Sequence, residues 1–97
     1  MDTTALAHAF TQACTREGFT ELVEVAREAH GLWDTHTHPF EAKALILAGE
    51  IRIRTEDGTD RTYRAGEVFH LQHEAPHAEW YGPEGVRYLV ARRISAG

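Results

Sequence analysis

The sequence predicts an all-β domain preceded by one short α-helix. Three observations carry that expectation. Apolar residues alternate with polar ones from Val23 onward, turn signals recur every eight to twelve residues, and the only helix-period stripe lies before Gly18.

The helix is expected to start at Thr3 or Thr4, either of which suits a cap, and to run to about Glu17. Leu6, Phe10, Ala13 and Cys14 form its apolar stripe, and Gly18 stops it. Val23 and Val25 alternate with charged neighbours, the period of a half-buried strand. Ala42–Leu47 is more continuously apolar and ends at Ala48-Gly49. Ile51 and Ile53 alternate with Arg52 and Arg54, and Asp57-Gly58 is a hairpin turn. Thr62–Arg64 leads through the turn at Ala65-Gly66-Glu67 into a strand marked by Val68, Phe69 and Leu71. Pro76 suits only a strand end or a bulge. Gly82-Pro83-Glu84-Gly85 reads as a loop, and Val86, Tyr88 and Val90 form a last strand. Leu45, Leu47, Ile51, Ile53, Phe69, Leu71, Tyr88 and Val90 are the expected core.

At 97 residues the chain has room for one domain and one small core. Its formal charge of −5 argues against nucleic acid as a partner. No apolar run approaches the ~18 residues of a membrane span, and no basic-then-apolar leader is present. Cys14 is the single cysteine, which excludes an internal disulfide and suits a reducing, cytoplasmic location. Arg52, Arg54, Arg61 and Arg64 flank one hairpin and read as a solvated strand face.

Seven histidines are an unusual load for such a chain. His36 and His38 are separated by one residue, so on a strand both rings project from the same face. Two imidazoles so placed can converge on one ion, and a third histidine from a neighbouring strand would complete a three-ligand site with open positions. His8, His30, His70 and His73 read as surface residues. His70 lies between the inward candidates Phe69 and Leu71, and alternation turns it outward.

Two blocks align with a known pattern. Gly31-Leu-Trp-Asp-Thr-His36-Thr-His38-Pro-Phe-Glu41-Ala42, followed by Gly49, resembles the first cupin motif: glycine, five residues, His-x-His, three or four residues, glutamate, six residues, glycine. Gly66-Glu-Val-Phe-His-Leu-Gln72-His-Glu74-Ala-Pro-His77 resembles the second: glycine, five residues, Pro-x-Gly, two residues, histidine. The resemblance spans residues 23 to 92. It implies a small single-domain cupin: a double-stranded β-helix, or jelly-roll barrel, over residues 19–97, with residues 1–18 as a helical segment. It also implies a metal held by His36, His38 and His77. The departures are specific. Gly31 stands one residue too close to His36, and Gln72 and Glu74 replace the proline and glycine of the second motif. Ala42 occupies the position of the glutamate ligand. Glu41 is one residue early and faces the other way unless the backbone bulges. Without a bulge the site is three histidines completed by water, or by Glu79, which shares a face with His77.

Such ligands suit a divalent transition metal: iron, manganese, nickel or zinc. Trp33, Phe40, Trp80 and Tyr81 surround the ligands in sequence and are candidate pocket walls. Glu41 and Glu79 are candidate general bases. Three roles fit: a mononuclear metal enzyme of dioxygenase, isomerase or lyase type acting on a small molecule; a non-catalytic module holding a small ligand or metal; and a metal-free barrel used for pairing. A homodimer is expected, because small barrels of this kind have sheet faces and edges to cover.

Overall fold

The computed structural model describes residues 2–94, which form one helix and six antiparallel strands. Helix α1 spans Thr4–Arg16. The strands are β1 (Glu21–Arg27), β2 (Leu32–His36), β3 (Glu41–Thr55), β4 (Asp60–Arg64), β5 (Val68–Leu71) and β6 (His77–Arg93). The main path through the sheet is β1-β6-β3-β4, with β2 added to β6 and β5 added to β3.

The two long strands make the jelly roll, because each changes partner midway. The first half of β6 pairs with β2 and the second half with β1. The first half of β3 pairs with β5 and the second half with β4. The expected loop at residues 82–85 and the expected break at Ala48-Gly49 are therefore corrected: both stretches continue as strand. The turn residues bend the strands instead of ending them. The β3–β6 register shifts between Ile46 and Ala48 and again between Gly49 and Ile51, as β-bulges do. Gly49 has φ +74°, and a Cβ there would lie 2.1 Å from the Gly85 carbonyl oxygen. Only glycine permits two backbones to approach so closely.

Alternation along β3 turns Ala42, Ala44 and Ile46 inward, where they meet Ile51, Ile53, Phe69, Leu71, Tyr88 and Val90 in the main core. Full burial of a side chain such as Ile46 or Ile51 contributes about 1.5–3 kcal/mol. Leu45 is buried as expected, though on the opposite face from Ile46, and of the expected core residues Leu47 on that face is only half-buried.

Helix α1 packs with Cys14 against Phe19 and Ala91, with Phe10 and Leu22 alongside. Leu6, expected in its stripe, stays exposed. No threonine hydroxyl caps the helix; the Asp2 carboxylate accepts the Thr4 N–H at 2.9 Å. Gly18, with φ +91°, turns the chain out of the helix. Arg93 then stacks 4.4 Å from the Phe19 ring centroid and donates to the Glu17 carbonyl, while Lys43 pairs with the Glu17 carboxylate. No helix of the described residues is long and apolar enough to cross a membrane.

Candidate metal centre

Three of the four donors come from neighbouring strands. His77 and Glu79 lie two apart on β6 and face inward, and the next residue in that alternation is Tyr81. On β2, Trp33 pairs with Glu79 and His36 pairs with His77, with a bulge between them. The extra residue lets Trp33 and His36 face the same side although three positions separate them. His38 follows just beyond the end of β2.

The result is a tight cluster. One ligand atom from each of His36, His38, His77 and Glu79 lies within 4.8 Å of the others. Ring centroids are 4.8 Å apart for His36 and His38, 4.3 Å for His36 and His77, and 5.3 Å for His38 and His77. Glu79 Oε2 sits 3.1 Å from His77 Nε2 and 3.3 Å from His36 Nε2, and Tyr81 donates its hydroxyl to Glu79 Oε1 at 3.1 Å.

The far side of each ring explains its orientation. His36 Nδ1 lies 2.7 Å from the Asp34 carbonyl oxygen and His77 Nδ1 lies 2.9 Å from that of Ala75. A carbonyl only accepts, so in each neutral ring the proton resides on Nδ1 and the Nε2 lone pair is left for the cluster. Burial, then the charges of His36 and His77, hold His38 below its ordinary pKa. Burial is also the largest influence on His77 and Glu79, and in both it opposes the charged form. Their mutual hydrogen bond and charge outweigh it, so His77 is raised and Glu79 lowered. Burial and the Glu79 carboxylate push the Tyr81 hydroxyl above its ordinary range.

The donor set fits a transition metal. Three imidazoles and a carboxylate converge from a protein wall, and His36 Nε2 is buried without a hydrogen-bond partner among the described residues. A buried acceptor left so is uncommon unless something else satisfies it.

Glu41 is the principal correction. It pairs instead with His70 Nε2 at 2.5 Å and Arg93 Nη2 at 2.6 Å, away from the histidine cluster. The pairing of β3 with β5 and β6 runs unbroken from Ala42 to Leu45, so no bulge returns Glu41 to the inside. Its carboxylate therefore lies outside the cluster of His36, His38, His77 and Glu79. Trp80 is also displaced from its expected pocket. It sits on the outer face between Arg52 and Arg54, whose guanidinium carbons lie 4.8 and 5.0 Å from its ring centroid. Trp33 stacks on His36 at 3.7 Å and Phe40 on His38 at 4.9 Å, beside the histidine cluster. His8, His30, His70 and His73 are exposed.

A cavity of about 80 Å³ adjoins the cluster, lined by His38, Glu79, Trp33, Phe40 and the barrel side chains. Two of its residues escaped the sequence reading, Arg27 and Arg92. The signal for Arg27 was present: it continues the Val23, Val25 alternation of β1. Arg92 likewise continues Tyr88 and Val90, and it lies across the ladder from Ala42.

No protein-family model matches the chain, and no curated protein sequence does. Solved structures do. An RmlC-like cupin from Shewanella frigidimarina is 18% identical over 76% of this chain and 65% of its own, with a TM-score of 0.65. The DMSP lyase DddQ from Ruegeria pomeroyi is 28% identical over 74% of this chain and 36% of its own, at 0.68. The cupin domain of Cnp3 from Schizosaccharomyces pombe is 17% identical over 76% and 55%, also at 0.68. The chain thus spans between 36% and 65% of the length of these three.

Proposed function

The chain folds as a small cupin, and from that premise we propose that it holds one divalent transition metal (iron, manganese, nickel or zinc) through His36, His38, His77 and Glu79 and acts as an enzyme on a small molecule. The carrying observation is the convergence of four donors within 4.8 Å, with His36 Nε2 otherwise unsatisfied. Glu79 takes the carboxylate position that Ala42 leaves vacant on β3. It serves as a ligand rather than a base, since Oε2 bonds His77 Nε2 and lies 3.3 Å from His36 Nε2, among the other donors, while Oε1 accepts from Tyr81. When bound, the ion supplies Lewis acidity to a substrate oxygen. The protein side of the work falls to its own residues. The two carbonyls fix the imidazole tautomers, Tyr81 orients Glu79, and Trp33 covers His36 from solvent. Among dioxygenase, isomerase and lyase types, the resemblance to a DMSP lyase at 28% identity supports the last.

A non-catalytic binding module is the second reading. The cavity of about 80 Å³ beside the cluster serves a bound ligand with or without turnover. We further propose a homodimer through the outer sheet face, where Leu32 is 59% exposed beside its cross-strand neighbour Trp80. A monomeric mass by light scattering at micromolar concentration counts against it.

Metal analysis of untagged protein tests the main reading. Stoichiometric metal in the parent, abolished in His36→Ala and His77→Ala, supports the site. No metal after incubation with iron, manganese, nickel or zinc overturns it. With metal bound, turnover in a substrate screen separates the enzyme from the binder.

A further inference from the structure

Resting on the reading of the cluster as a metal site, we propose that the adjoining cavity takes a small carboxylate with a short apolar stem, its carboxylate group held by Arg27 and Arg92. Both arginines line the same cavity as His38 and Glu79, and much of the remaining wall is carbon, from Trp33, Phe40, Phe69 and Leu71.

Each guanidinium has donors left over. None of the ion pairs among the described residues includes Arg27. Its guanidinium carbon stands 5.5 Å from the Trp33 centroid. Arg92 uses Nη1 on Glu21 at 2.9 Å and lies 4.8 Å from the Phe40 centroid, while its Nε is buried with no hydrogen-bond partner among the described residues. A buried N–H left unpaired is unfavourable, so a ligand that accepts from it is favoured over one that does not. The aromatic faces of Trp33 and Phe40 keep the two forks in place, as they do wherever guanidinium stacks.

Charge and size narrow the ligand. Glu79 is the one carboxylate lining the cavity, and His77 and Tyr81 already engage it. Two guanidinium ions facing a largely apolar space call for an anion, and a planar carboxylate matches their paired donors. A cavity of about 80 Å³ admits only a short acid.

The test is calorimetric titration of the full chain with propionate and with its uncharged isostere propionamide, with and without zinc. The parent is expected to prefer propionate by about tenfold or more. That preference should collapse in Arg27→Met and Arg92→Met and persist in part in Arg27→Lys and Arg92→Lys, which retain the charge if a methionine variant misfolds. Arginine-dependent preference in either metal state supports the proposal. Its absence in both states, or equal preference in parent and methionine variants, overturns it. If zinc fails to bind while the arginine dependence survives, the metal reading falls and the anion site stands.

Discussion

His36 and His77 face each other across the β2–β6 ladder with ring centroids 4.3 Å apart, and each turns Nδ1 to the main-chain carbonyl two residues before it. In both rings a main-chain carbonyl holds Nδ1 and leaves Nε2 aimed at the cluster. Thermal melts with added zinc should show it. Saturation at 100 times Kd stabilises a folded state by about 2.7 kcal/mol, a rise of several degrees for a domain of this size. His36→Ala and His77→Ala should each lose that rise. A rise retained in both variants means that zinc binds elsewhere.

Trp33 offers a direct optical reading of the same site. Its indole stacks on His36 at 3.7 Å with an interplanar angle of 11°. In a Trp80→Phe background, Trp33 is the single tryptophan, and nickel titration should quench its emission with one-site stoichiometry. Adding His36→Ala should abolish the quenching; unchanged quenching there places the metal away from His36.

Glu41 should matter for stability and not for metal. The Arg93 guanidinium first, and His70 next, hold its carboxyl below the ordinary range. A carboxyl whose folded pKa is depressed contributes stability above its unfolded pKa of about 4.3 and loses it as pH falls through the lower folded value. Chelator-treated parent should therefore melt above Glu41→Gln at pH 7, by no more than about 1 kcal/mol for partly exposed pairs. The two should converge as the pH is lowered below the carboxylate range. Metal stoichiometry should be equal, and a loss in Glu41→Gln would return the residue to the site.

The bend in β3 gives the largest expected stability effect. At Gly49 a side chain meets both a positive φ and the Gly85 carbonyl at 2.1 Å. Gly49→Ala should cost roughly 2–5 kcal/mol, combining backbone strain with overpacking. Gly58 is the control: its φ is +93° but nothing lies within 4 Å of the added Cβ. Gly58→Ala should cost only about 1–2 kcal/mol. Equal losses by chemical denaturation would mean that the Gly49–Gly85 contact relaxes freely.

What was legible in the chain, and what was not, follows from how each feature is encoded. Period-two alternation located β1, the second half of β3 and the C-terminal half of β6, and the His-x-His spacing located two donors, because both signals are local. The continuity of β6 through Gly82-Pro83-Glu84-Gly85 was not local. Those residues read as a loop by themselves and become a bent strand only because β3 crosses there. Trp80 failed for a related reason. Proximity in sequence to His77 and Glu79 suggested a pocket wall, yet parity puts residue 80 on the opposite face from 79. The same parity rule, applied to Glu41 and Ala42, left Glu41 a ligand only where the backbone bulged, and the unbroken β3–β5 pairing supplies no bulge. Parity also made Glu79 the alternative carboxylate.

That alternative gives a discriminating experiment. Glu79 is 4% exposed and bridges His36, His77 and Tyr81, so Glu79→Gln keeps the shape and removes the charge. If Glu79 is a ligand, the variant should bind zinc at least about 100-fold more weakly, beyond the 10–100-fold typical of an outer partner. Tyr81→Phe removes only the bond to Oε1 and should fall within that smaller range. If Glu79 served instead as a base, the charge-neutral variant would load metal like the parent and lose turnover alone. Competition with a zinc chelator of known affinity, run beside circular dichroism to confirm folding, separates the two outcomes.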